Sequence, residues 1–187
     1  IIASIGLCNP AQFLAIRRIR HMEFRWALFA VIGVVLLGTL KGVLVAVVMS
    51  LVALMIYGLR SPVHVLGRKP GTNVFRPRSA EHPEDENYPG LLLLRPEGLI
   101  YFGNVPRIAE QIRKHLHAAA PRMVALDLSA VVNLEFTALK MLIDGEERHR
   151  ADGIMLWLVA LNPDVLEVVQ RSPLGERLGR ERMFFSL

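Results

Sequence analysis

The sequence predicts a membrane α-helical hairpin followed by an α/β domain built on a mixed β-sheet with helices. Three observations carry this expectation. The 36 residues from Phe24 to Leu59 hold only two charges, Arg25 and Lys41. The whole net charge of +5 falls within residues 1–60, where six basic residues (Arg17, Arg18, Arg20, Arg25, Lys41 and Arg60) face one acid, Glu23. From Leu91 onward, short apolar runs alternate with stretches of helical period.

Composition excludes several classes. With 52% hydrophobic and 21% charged residues and a mean hydropathy of +0.37, the chain is not disordered and is more apolar than an ordinary soluble domain. One cysteine rules out a disulfide framework. The pI of about 9.9 raises a nucleic-acid reading, but residues 61–89 balance four basic against four acidic side chains, and residues 90–187 balance twelve against twelve. The excess charge flanks an apolar block and does not decorate a polar folded face. That is the positive-inside arrangement of a membrane protein, so the partner expected is the lipid bilayer and no nucleic acid is expected.

Residues 1–22 are expected to comprise the end of a preceding membrane helix and a basic surface helix. Ile1 to Cys8 is apolar, begins with Ile rather than Met, and lacks the basic region that opens a signal peptide. Asn9-Pro10 ends it. Ala11 to His21 sets Phe13 and Ile16 beside Arg17, Arg18 and Arg20, which fits an amphipathic helix on the membrane surface.

The transmembrane hairpin is expected over 23–60. As one straight helix, residues 24–59 would run roughly 54 Å, against a hydrocarbon core of about 30 Å. Gly38-Thr39-Leu40-Lys41-Gly42 divides them into helices 24–39 and 42–59, because two glycines and a lysine suit a turn better than a lipid-facing helix. Each half lies at the short end of the spanning range. A buried helical hairpin of a soluble protein is the alternative, and the flanking cationic clusters argue against it. Both clusters point to the cytoplasm.

Residues 61–89 are expected to be a linker with some extended structure. Five prolines (62, 70, 77, 83 and 89) and the acidic run Glu81 to Glu86 mark it. The α/β domain is then expected over 90–187. Leu91–Arg95 and Leu99–Phe102, separated by Pro96-Glu97-Gly98, predict a β-hairpin. Val105, Ile108, Ile112 and Leu116 share one face of a helix over 104–119. Met123–Leu128 predicts a buried strand, 136–150 a helix, and Ile154–Leu161 another strand. Pro163–Arg171 predicts a helix with proline in its first turn, and Met183–Phe185 a last short strand. The order implies a mixed sheet with helices on one or both faces.

Motifs for catalysis are missing from the sequence. No phosphate-binding loop, dinucleotide fingerprint, metalloprotease helix or nucleophile elbow occurs. The six histidines are scattered without ligand spacing, and Cys8 has no paired base, so neither an enzyme, a metal nor a cofactor is expected. The informative stretch runs from Leu126 to Leu139. A buried strand ends near Asp127, a loop crosses, and a helix begins around Glu135 to Thr137. Asp127 and Ser129 can cap the loop backbone. Thr137 falls in the first helical turn, where free N–H groups and the helix dipole tolerate a phosphate, although Glu135 would repel it. On the residues alone, plain capping and turn formation are the favoured account of Ser129 and Thr137.

Pro70-Gly71-Thr72-Asn73-Val74-Phe75, Pro89-Gly90-Leu91-Leu92-Leu93-Leu94-Arg95 and Leu99-Ile100-Tyr101-Phe102-Gly103-Asn104 closely resemble the start of the cytoplasmic domain of SulP-type (sulfate permease family) anion transporters. Asp127-Leu128-Ser129 with Thr137-Ala138-Leu139 resembles the signature loop of the STAS domain, which those transporters share with anti-sigma factor antagonists. The apolar hairpin is similar to the last two membrane helices of the transporter. The resemblance covers nearly the whole chain. It implies an α/β STAS-type fold over 90–187 and a regulatory loop at Asp127, Ser129, Glu135 and Thr137. Glu135 stands where the family pattern usually has Asp, and related domains usually continue into a further helix beyond the position of Leu187.

The function implied is that of a C-terminal fragment of a secondary active sulfate or inorganic anion transporter in the cell inner (plasma) membrane, with STAS in the cytoplasm. Its expected partners are the preceding membrane helices of the same transporter, a second copy in a homodimer, and cytosolic regulatory proteins. The fragment alone is not expected to transport. A membrane-anchored STAS module of the anti-sigma-antagonist type, switched by phosphorylation at Thr137, is the alternative.

Overall fold

The computed structural model describes residues 17, 18, 21–59 and 61–187. It divides into two compact units, Ile1–Tyr57 and Gly58–Leu187. Most of the expected preceding membrane helix and basic surface helix lies outside the described residues. Arg17 and Arg18 are helical and exposed.

Among the described residues, the first unit holds α1 (His21–Leu37) and most of α2 (Thr39–Gly58). The break falls earlier and is tighter than the expected Gly38–Gly42 turn. Gly38 alone adopts a left-handed φ of +80°, and the Gly42 N–H already donates to the Gly38 carbonyl at 2.8 Å. Glycine reaches that φ without the Cβ penalty, so the chain reverses at one residue and Lys41 joins the first turn of α2. Gly42 serves close packing instead. A Cβ there would collide with the Val34 backbone, 2.7 Å from its nitrogen, so α1 and α2 approach closely at this level. α2 is long and apolar enough to cross a membrane. The apolar stretch of α1, Phe24–Leu36, is shorter. Nearly all large apolar side chains of α2 are exposed, as a lipid-facing helix requires.

In the second unit a six-stranded sheet has the order β2-β1-β3-β4-β5-β6. Its strands are β1 (Val63–Arg68), β2 (Phe75–Pro77), β3 (Leu91–Pro96), β4 (Met123–Asp127), β5 (Met155–Val159) and β6 (Met183–Phe184). The strands β3 to β6 run parallel, joined through α3 (Val105–Ala119), α4 (Phe136–Ala151), α5 (Pro163–Gln170) and α6 (Pro173–Leu178). These helices pack on one face, over Leu92, Leu94, Val124, Leu126 and Leu158, as right-handed crossovers between successive parallel strands would place them. The alternate residues Leu66, Leu93, Ala125 and Val159 form a smaller cluster on the other face, with Phe75, Trp157 and Leu187 packed against it.

Two expectations are corrected. The expected linker contains β1 and β2, because its prolines bracket the strands. Pro62 precedes β1, Pro70 follows it, and Pro77 ends the edge strand β2, where a missing donor is tolerated. The expected hairpin of 91–95 with 99–102 does not form. β3 instead pairs antiparallel with β1, through His64 with Arg95 and Val65 with Leu94, and has β4 on its other edge. With both edges occupied, residues 99–102 make only an isolated bridge, Ile100 to Leu134.

Candidate functional site

The candidate loop begins where β4 ends. Asp127 is 2% exposed, and its two oxygens have separate duties. Oδ2 accepts from Arg95 Nη2 at 2.6 Å and Nε at 2.9 Å, while Oδ1 accepts from the Ser129 N–H at 2.9 Å. The first pair ties the end of β3 to the end of β4. The second bends the chain into the loop, a side-chain mimic of a backbone turn.

The loop is pinned from three sides. The Leu128 N–H donates to the Val159 carbonyl at 2.9 Å. The Asn162 amide donates to the carbonyls of Val131 (2.9 Å) and Val132 (3.0 Å), while its Oδ1 caps α5 by accepting from the Val165 N–H at 2.8 Å. Leu134 bridges to Ile100. Leu128, Val131 and Leu134 are buried, so the remaining residues are displayed from a fixed backbone.

What the loop displays is both polar and apolar. Ser129, Asn133, Glu135 and Thr137 are exposed. Val132 and Phe136 are 76% and 78% exposed, and on the bridged segment Leu99 and Phe102 are 57% and 72% exposed. Phe102 and Phe136 each stand two residues past the bridged pair. Such a cluster of large apolar side chains is costly on a free surface and marks a protein or membrane contact.

Thr137 is the second residue of α4. Glu135 is the N-cap, its side chain makes no capping bond, and the first turn contains no acid. Its opening N–H groups thus lack a side-chain acceptor, a favourable setting for negative charge on Thr137.

Of the four residues singled out in the sequence, Asp127 is a buried anchor, whereas Ser129, Glu135 and Thr137 lie on the surface that it shapes. Sequence reasoning missed Arg95 and Asn162, which fix the loop from 32 and 30–31 residues away. It also missed Asn104, which is fully buried. The Asn104 amide donates to the Gly58 and Leu99 carbonyls and to Ser61 Oγ, while its Oδ1 accepts from the Tyr101 N–H. Pro163 was legible as the first turn of a helix, but the bonds of Asn162 to the loop were not.

A mixed sheet with helices on one face, a buried aspartate at the end of its central parallel strand and a displayed loop define the STAS architecture. The STAS domain family model matches residues 82–186. The chain belongs to the STAS domain family, in the form found at the C-terminal end of SulP-type anion transporters. Its relatives carry transporter names. Sulfate transporter 1.1 of Arabidopsis thaliana is 26% identical over 197 residues, spanning all of this chain and 30% of the relative. Probable sulfate transporter 4.2 of the same plant is 33% identical over 155 residues, spanning 76% of this chain and 23% of the relative. The chain therefore spans less than a third of the length of these relatives. Among solved structures, the murine Solute Carrier 26 family member A9 anion transporter in its inward-facing state superposes with a TM-score of 0.79 at 15% identity. That match covers 93% of this chain and 28% of the other, and it shows the fold.

Proposed function

We propose that this chain is the C-terminal part of a secondary active transporter for sulfate or a related inorganic anion, and that it transports nothing alone. The carrying observation is that relatives named sulfate transporters match it over its full length, from the apolar hairpin through the STAS domain. The described residues include one helix fit to span a membrane, too few to enclose a midplane substrate site between discontinuous helices. The role assigned to the chain is to complete the membrane scaffold and to present STAS in the cytoplasm. There STAS supports folding, dimerisation and the docking of regulators. The cationic residues before α1 and at 60–69 support the cytoplasmic placement at the inner (plasma) membrane.

Within STAS, the proposed regulatory surface is the loop held by Asp127. Ser129, Glu135 and Thr137 supply its polar part, and Val132 and Phe136 its apolar anchors. A phosphate on Thr137 would add about two negative charges at an uncapped helix start and change which partner the surface accepts.

Uptake of labelled sulfate into a host lacking its own permease tests the reading. The longer coding sequence that includes these residues is expected to restore uptake, and the 187-residue chain alone is expected to leave it at background. Uptake by the chain alone, or a longer protein that moves no inorganic anion, would overturn it.

A further inference from the structure

The helices α3 and α4 lie on the same face of the sheet but do not close over it. Between them runs a groove of about 610 Å³, within the range of small-molecule sites. Val124, Leu126 and Leu156 of the sheet form its floor, and Leu116 and Met141 face it from the helices. Two lining positions leave it open. Ala109 on α3 has a minimal side chain, and Gly145 on α4 has none, with nothing within 4 Å of a Cβ placed there. Glycine inside a helix is less favourable than alanine there. A leucine at 145 would have suited both the helix and the apolar floor.

The mouth carries charges of both signs. Arg113 and His117 of α3 and Arg148 and His149 of α4 line it, with Asp152 the acid at the rim. Glu146 also lines the groove, but it is buried and engaged by Arg177 at 2.9 Å and Arg150 at 3.6 Å. Arg113 is paired with Glu110 at 2.8 Å. Arg148 donates Nε to the Asp144 carbonyl and has no carboxylate partner among the described residues. Burial, and then the positive charge of Arg148, hold the His149 imidazole below its ordinary pKa. An anion at the mouth would relieve that repulsion.

An apolar trough with one guanidinium at its rim that has no carboxylate partner among the described residues is complementary to a chain with an anionic head. We infer that the groove between α3 and α4 binds a long-chain carboxylate, with the aliphatic chain over Leu126 and Leu156 and the carboxylate at Arg148. This site is separate from the Asp127 loop and does not depend on the transport reading.

Photoaffinity labelling of the full chain in native membranes tests it, using hexadecanoate with a photoreactive diazirine on its chain and reading the label peptide by peptide. Label is expected in 105–119 and 136–156 in addition to the membrane helices. Gly145→Leu, which fills the open space and favours the helix, should reduce groove labelling at least tenfold while labelling of α2 stays unchanged. Arg148→Glu should do the same for the carboxylate, and the corresponding hexadecanol should label the groove weakly in the unmodified chain. Groove peptides that stay unlabelled would overturn the inference. So would equal labelling by acid and alcohol, or labelling indifferent to Gly145→Leu. A second readout keeps the test independent of cross-linking yield. In the chain reconstituted into nanodiscs, decanoate should shift the His149 imidazole resonances, and an absence of any shift would count against the site.

Discussion

Asp127 illustrates how a residue can be found in the sequence while its work is not. The Asp-Leu-Ser motif marks a strand end, and capping of the loop follows from local chemistry, as the 2.9 Å bond to the Ser129 N–H bears out. Its other oxygen faces Arg95, from a strand 32 residues earlier. The carboxylate is 2% exposed and the guanidinium 21% exposed, so the pair is shielded on one side only. Removing one partner leaves the other charge without compensation in a poorly solvated place, which typically costs 3–5 kcal/mol in a fully buried pair. Because Arg95 reaches water, Asp127→Ala is expected to destabilise the chain by about 3 kcal/mol, with Arg95→Ala costing less. Thermal denaturation of the purified chain in detergent would measure both. A loss below about 0.5 kcal/mol would show a pair screened like an ordinary surface bridge.

At the level of elements, the segment from β1 to β3 has the largest difference between sequence and structure. Its prolines and acidic run resemble a tether, yet Arg76 Nη2 meets Asp85 Oδ1 at 2.8 Å, and residues 68 and 86 exchange backbone bonds of 2.8 and 3.1 Å. Hydrogen bonding from Arg76 is the main reason the Asp85 carboxyl titrates below its ordinary value. A depressed carboxyl stabilises the fold above the unfolded-state pKa and loses that contribution as pH falls through the folded value. Backbone amides over 76–88 are therefore expected to lose exchange protection below roughly pH 4, the ordinary Asp range, before those of β4 do. Asp85→Asn should flatten that dependence. Protection that falls in step with β4 would mean the segment has no acid-sensitive anchor of its own. The helices α3 to α5 and strands β4 to β6 were legible because each carries its period within its own residues. The pairing of β1 with β3 was not, because it is fixed by competition for a sheet edge some 30 residues away. In the candidate loop, Asp127, Ser129 and Thr137 were visible as local motifs, whereas Asn162 and Arg95 act only through the tertiary fold.

For the whole molecule, the strand order decides where the independent folding unit must begin. β1 covers one edge of β3, and the short edge strand β2 in turn covers β1. Upstream of β1, Ser61 and Gly58 are held by Asn104, which is fully buried. A fragment cut at residue 90, where composition alone marks the domain start, would strip β1 from the sheet. That would expose the Leu91–Pro96 edge, an apolar strand with unpaired backbone groups of the kind that templates aggregation. It would also leave the Asn104 amide buried without two of its acceptors, each such loss typically costing about 1–3 kcal/mol. Residues 58–187 are therefore expected to express as a soluble domain with a single cooperative thermal transition. Residues 90–187 are expected to aggregate, or to melt at least 10 °C lower, since a loss of about 2 kcal/mol shifts the midpoint of a domain this size by roughly that much. Sedimentation and calorimetry of the two fragments side by side would decide it. Equal stability would mean that β1 pairs with β3 without contributing to the fold.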